Sequence, residues 1–128
     1  MTVPLVPTWH AQVLIDAHTA LLALVDAGTA GSVKVRDAAD VLLATIVLTD
    51  PAGTVHGTTG QLTITDAGPV NAVASGTAAY AELCSSAGTV YLALPAQQGV
   101  AAVSGYAVLN TLVIVSGLPV ELISFTIG

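Results

Sequence analysis

VSGYAVLNTLVIVSGLPV, residues 103–120, contains no charged side chain, and the uncharged run around it extends from Leu83 to Val120, between Glu82 and Glu121. The length would suit a bilayer-spanning helix, which needs about 20 apolar residues. Its punctuation does not. Gly105, Asn110, Ser116, Gly117 and Pro119 interrupt it, and no Lys or Arg flanks it to anchor a span at the membrane surface. The middle, AVLNTLVIV, is rich in β-branched residues and lies between glycine-containing turns, the signature of a strand. As one strand it would place Val108, Asn110, Leu112 and Ile114 on one side and Leu109, Thr111, Val113 and Val115 on the other. Both sides are mostly apolar, which predicts a strand covered on both faces.

Working outward, the same two-residue period recurs along most of the chain. SVKVR (residues 32–36) turns Val33 and Val35 inward and Lys34 and Arg36 outward. LLATIVLT (42–49) is a strand that ends at DPAG, a turn signal. QLTIT buries Leu62 and Ile64, and GTAAYAELC (76–84) runs to a second turn at SSAG. TVYLAL places Val90, Leu92 and Leu94 on one face. In VELISFTI, Ile123, Phe125 and Ile127 alternate with Leu122, Ser124 and Thr126. Residues 54–60 and 68–75 read as loops. Seven or eight short strands separated by turns predict a mainly β fold, a single jelly-roll-like antiparallel β-sandwich.

One segment breaks the pattern. Residues 9–27 carry Leu14, Ala17, Leu21, Leu24 and Val25 at helical spacing, with Thr8 as N-cap and Gly28 as the C-terminal stop. Asp26 lies at the end of the helix dipole that disfavours an acid, so it is expected to serve the turn that follows. Residues 1–8 contain Pro4 and Pro7, which favour extended backbone, and predict an N-terminal arm. Residues 9–128 then form one β-rich domain led by its helix. MTVPLVPTWH lacks the basic and continuous apolar regions of a secretory signal.

The composition narrows the function. Charged residues make up 8% of the 128, against about 25% in an average soluble domain. Eight acids and two strong bases leave a net charge of −6, which argues against nucleic acid as a partner. With so little charge to cover its surface, the chain is expected to hide apolar area against other chains.

Nothing in the sequence requires a metal or cofactor, and no constellation predicts an enzyme. His10 and His18 are about 12 Å apart by helical rise, too far for one metal. His56 lies in a Gly/Thr loop. GTAGS (28–32) follows a helix and lacks the Lys of a phosphate loop. Ser116 lacks the flanking glycines of a nucleophile elbow. Asp37 and Asp40 offer too few oxygens for calcium. Cys84 has no partner for an intrachain disulfide and reads as a buried thiol. Trp9, Tyr80, Tyr91, Tyr106 and Phe125 are scattered and read as core or interface fillers.

Taken in order, several segments resemble small structural proteins of tailed bacteriophages, of the capsid decoration or cement type. They are ALLALVDAG (20–28), SVKVRD (32–37), LLATIVLTDPAG (42–53), ASGTAAYAEL (74–83), SAGTVYLAL (86–94) and LNTLVIVSGLPVELISFTI (109–127). The resemblance implies a virion structural protein on the capsid exterior, made in the host cytoplasm, that bridges major capsid protein subunits. It also implies a homo-oligomer, dimer or trimer; the acidic charge and the interrupted apolar run already predict no nucleic-acid or membrane partner. The candidate interface residues are Leu5 on the arm, Trp9 at the start of the helix and Tyr106 in the uncharged stretch. Two other readings compete: a phage tail or neck subunit, and a small glycan- or ligand-binding β-sandwich. The second would need aromatics clustered on one exposed face.

Overall fold

The structure, a computed structural model, describes residues 11–128. It is mainly β with one N-terminal helix among the described residues. The arm, Thr8 and the first helical positions expected from the sequence lie outside that range. The elements are α1 (Ala11–Val25), β1 (Ser32–Arg36), β2 (Leu42–Val55), β3 (Leu62–Asp66), β4 (Val70–Asn71), β5 (Gly76–Thr77), β6 (Tyr80–Cys84), β7 (Val90–Gln98), β8 (Ala107–Leu109), β9 (Val113–Ile114), β10 (Pro119–Val120) and β11 (Leu122–Ile127).

Hydrogen bonding closes β1-β2-β3-β11-β8-β7-β6 into one ring, with β4–β10 and β5–β9 as separate two-stranded pairs. The sequence pattern had suggested two facing sheets and antiparallel pairing throughout. A closed ring of seven strands cannot alternate direction all the way round, so at least one neighbouring pair must be parallel. That pair is β7–β8, where Ala96 aligns with Ala107 and Gln98 with Leu109. Residues 99–106 make the crossover outside the barrel. Gly99 donates its N–H to the Leu109 carbonyl at 3.1 Å and Gly105 to the Thr126 carbonyl at 2.8 Å.

The interior is filled by side chains, as expected for so narrow a barrel. Phe125, Leu43, Ile46, Leu48, Leu62, Leu83 and Leu109 are its largest fully buried members. Each removes about 1.5–3 kcal/mol worth of apolar surface from water. Val33 and Val35 of β1 join them, as the alternation of SVKVR predicts.

In α1 the covered stripe is Leu14, His18, Leu21, Leu22 and Val25, not the one with Ala17 and Leu24. Leu24 is exposed. His18 is buried, with its Nδ1 2.7 Å from the Gly60 carbonyl, so that nitrogen carries the proton. Asp26 finds its role across the turn, where its Oδ1 accepts the Ala52 N–H at 2.9 Å. The helix is thereby fastened to β2 at the end of the barrel where the 56–60 turn lies.

Three expectations about strands are corrected. First, DPAG does not end a strand. β2 runs through it to Val55, with a cis Asp50–Pro51 peptide and a bulge that moves its register against β3 from Leu48↔Asp66 to Gly53↔Ile64. The bulge lets the chain pass a proline that could not donate to the ladder. Residues 54–55 are therefore strand, and Val70–Asn71 within the second expected loop pairs with β10.

Second, the strand expected over 108–115 breaks at Asn110. Asn110 donates its N–H to the Glu121 carbonyl at 3.1 Å, and its Oδ1 accepts the Glu121 N–H at 3.0 Å. This pairing turns the chain out of the barrel. Val108 and Leu109 are buried on opposite faces of β8 as expected, but Val113 and Val115 beyond the break are exposed. Third, β11 has a bulge between Leu122 and Ser124. Leu122 and Phe125 both reach the core, so the simple alternation is lost. Ser124 pairs with Val108 on the outer face beneath the crossover, and the Ser124 and Thr126 hydroxyls are buried there without a hydrogen-bond partner.

Candidate interaction surface

Among the described residues, several of those weighed for chemistry in the sequence serve local structure. Asp37 Oδ1 accepts the Ala39 and Val41 N–H groups, both at 2.9 Å, and so builds the β1–β2 turn. In that turn Asp40 adopts φ 66°. The Tyr80 hydroxyl donates to the Asp40 carboxylate, which pushes the phenol up to about 12. Arg36 pairs with Glu82 and also donates to the Asp40 carbonyl at 3.0 Å. The bond to Glu82 raises the Arg36 guanidinium further above its ordinary value.

His56 Nδ1 accepts the Thr58 and Thr59 N–H groups, each at 3.1 Å, and shapes the 56–60 turn. Cys84 is buried, and burial pushes its thiol up. GTAGS is a helix-to-strand turn: Gly28 has φ 87°, and a Cβ on Gly31 would lie 2.5 Å from the Cys84 carbonyl. Among the described residues no three metal-ligating side chains come together.

Phe125 fills the core, and Tyr80 is tied to Asp40. Tyr91 stands near the start of β7 and Tyr106 just before β8, at separate places on the barrel. Tyr106 is 38% exposed, its N–H bonded to the Val103 carbonyl at 3.2 Å. It remains a candidate contact. Leu5, Trp9 and His10 lie outside the described residues.

What the structure does bring together is an apolar surface over one end of the barrel. Asn110 directs the chain outward, and β9 and β10 then pair with β5 and β4. The Gly117 N–H bonds the Ala72 carbonyl, the Ala72 N–H bonds the Leu118 carbonyl, and the Ser116 N–H bonds Ser75 Oγ, all at 2.9 Å. These bonds bring Val73 next to Val115 and Leu118. Val113 is 66% exposed, Val73 63% and Leu118 55%. A concavity of about 240 Å³ opens between Asn110, Val113, Val115 and Leu118. No protein-family model, curated protein or solved structure matches this chain.

The surface presents side chains and not an open strand edge at Val113. The Thr111 hydroxyl accepts the Val113 N–H and donates to the Val113 carbonyl, both at 3.2 Å. It thereby occupies the backbone groups that an added strand would use. A second concavity, of about 440 Å³, lies between Val13, Leu14, Ala17 and His18 of α1 and Ile127 and Gly128. No described helix is long and apolar enough to cross a membrane.

Sequence reasoning missed Val113 because it took AVLNTLVIV (107–115) as one doubly covered strand, and it passed over Val73 because residues 68–75 read as a loop. The signal was present in the punctuation. Asn110-Thr111 and Ser116-Gly117 divide the uncharged run into pieces too short to bury both faces.

Proposed function

We propose that this chain is a virion structural protein of the capsid decoration, or cement, type. In this reading it is made in the host cytoplasm and binds the outside of a phage shell, where it bridges major capsid protein subunits. The barrel with its two capping strand pairs then plays the part of the jelly-roll-like fold expected from the sequence. The observation that carries the reading is the exposed, uncharged apolar surface of Val73, Val113, Val115 and Leu118, on a chain with only ten charged residues (eight acidic, two basic). Desolvating such a surface removes few ions from water, so docking loses little of the apolar gain.

A protein that binds assembled shell, and not free subunits, stabilises the shell by mass action. Many copies on one particle add their contributions. Tyr106 is a further contact in this reading, as are Leu5 and Trp9 of the N-terminal segment.

The test adds purified protein to shells assembled without it, then measures co-sedimentation and resistance to heat. Saturable binding in hundreds of copies with a raised disruption temperature is the expected result. Binding in only a few to dozens of copies per particle would move the protein to the neck or tail. No binding and no change in heat resistance would refute the proposal.

A further inference from the structure

We propose that residues 99–106, the crossover between β7 and β8, form a strap that opens from the barrel as a unit and uncovers Val108, Ser124 and Thr126. The inference concerns a different part of the barrel from the apolar surface above and does not depend on the shell-binding reading.

The strap covers a strip of the barrel exterior that is not built to stay dry. Val108 is fully buried yet stands apart from the core cluster, which its neighbours Ala107 and Leu109 join. Val108 therefore points outward, and the strap lies over it: a Cβ on Gly99 would stand 3.2 Å from Val108 Cγ1. Ser124 is paired with Val108 across β8 and β11. Thr126, two residues on, shares its side of β11. Ser124 is 8% exposed and Thr126 5%, and neither hydroxyl has a hydrogen-bond partner. Water would bond both. Closing the strap strips that water and returns no partner, so each hydroxyl weighs against the closed state by roughly tenfold in population.

Few interactions hold the strap down. At one end the Gly99 N–H bonds the Leu109 carbonyl at 3.1 Å, and at the other the Gly105 N–H bonds the Thr126 carbonyl at 2.8 Å. The bond from the Tyr106 N–H to the Val103 carbonyl lies within the strap and survives its opening. No backbone hydrogen bond joins residues 100–104 to the rest of the described chain. All five are exposed, Val100 by 96%, so the strap adds no apolar side chain of its own to the core.

Two end bonds and the shelter of one valine thus stand against two dry hydroxyls, and these contributions nearly cancel. The barrel beneath carries the whole core and opens only when the chain unfolds. Local opening of the strap is therefore far less costly than unfolding. Gly99 and Gly105 stand at its ends, where glycine absorbs a change of backbone direction.

Native-state hydrogen exchange of the full chain reads the opening. After correction for intrinsic rates, the Gly99 and Gly105 amides are expected to exchange about a hundredfold faster than the slowest amides of β1 and β2, with no response to low urea. A second measurement uses Val108→Cys and an aromatic disulfide reagent. The introduced thiol should react about a hundredfold faster than Cys84, which is buried and opens only with the barrel. Ser124→Ala and Thr126→Val remove the unpartnered hydroxyls. Each should slow both Gly105 exchange and the labelling of position 108 by about tenfold.

Three results would overturn the proposal. Gly105 and the introduced thiol protected as well as the slowest barrel amides and Cys84 would mean that the strap leaves only with global unfolding. Exchange unchanged in both hydroxyl variants would mean that opening does not uncover Ser124 and Thr126. Faster exchange in them would mean that the hydroxyls have partners in the closed state, such as a bound water. Should one hydroxyl variant fail to fold, the other and the labelling of position 108 decide.

Discussion

Gly53 is the place where one methyl group tests the course of the longest strand. If DPAG ended the strand, residue 53 would sit at a loop start, where alanine is harmless. In the structure β2 continues, and Gly53 pairs with Ile64 past the bulge. A Cβ there would fall 2.1 Å from the Thr63 carbonyl oxygen and 3.0 Å from the Ile64 Cα. Both are backbone atoms of β3, which cannot swing aside as a side chain can, so the two strands must separate by more than 1 Å at that point. Overpacking of this kind costs about 1–3 kcal/mol. The lower entropy of the unfolded Ala chain returns about 0.4–1 kcal/mol.

Gly53→Ala is therefore expected to lose about 1–2 kcal/mol net. Gly57 is the internal control. Nothing lies within 4 Å of its Cβ position and its φ is outside the left-handed region, so Gly57→Ala keeps only the entropic gain of about 0.4–1 kcal/mol. Urea unfolding with a shared m-value, supported by thermal melts, reads both. For a chain of this size 1 kcal/mol moves Tm by roughly 3–6 °C. The two variants should move in opposite directions, Gly53→Ala down and Gly57→Ala up. A Gly53→Ala protein as stable as Gly57→Ala would refute the strand through DPAG.

Three further outcomes follow from the hydrogen-bond inventory. Thr126→Val removes a buried hydroxyl without a partner, keeps the β-branched shape, and should raise the urea midpoint by an amount equal to about 1 kcal/mol. Asp26→Ala leaves the buried Ala52 N–H without its acceptor. It should cost about 1–2 kcal/mol after the relief of an acid at the helix C-terminus, with faster hydrogen exchange at Ala52.

Tyr80 should titrate near 12, above the ordinary 10.0, in the difference between phenolate absorbance curves of the wild type and Tyr80→Phe. The folded state favours the neutral phenol, so its contribution to stability is complete below about pH 10 and lost as pH rises toward 12. Asp40→Asn should bring that midpoint back toward the ordinary value, and an unmoved midpoint would show that the Asp40 bond is not the cause.

Parts of this fold were plain in local pattern. Val33 and Val35 alternate with Lys34 and Arg36, Leu62 and Ile64 with polar neighbours, and each set lies where a two-residue period puts it. Gly28 ends the helical run with the positive φ a C-terminal glycine supplies. The role of Asp26 was half legible: its misfit with the helix dipole announced another partner, but that partner, Ala52, is distant in sequence. The burial of His18 was not legible, because a wheel of apolar residues passes over a histidine and its partner, the Gly60 carbonyl, is 42 residues away.

Sequence alone determined the mainly β class, the single leading helix, the inward residues of β1 and β3, and a surface short of charge. Those properties depend on neighbours two to four residues apart, where side-chain direction follows from backbone period. Tertiary structure decided the closed ring with its parallel β7–β8 pair, the passage of β2 through a proline, and the break at Asn110 that leaves Val113 and Leu118 uncovered. Each depends on which distant strand supplies the facing hydrogen bonds, and no local period encodes that choice.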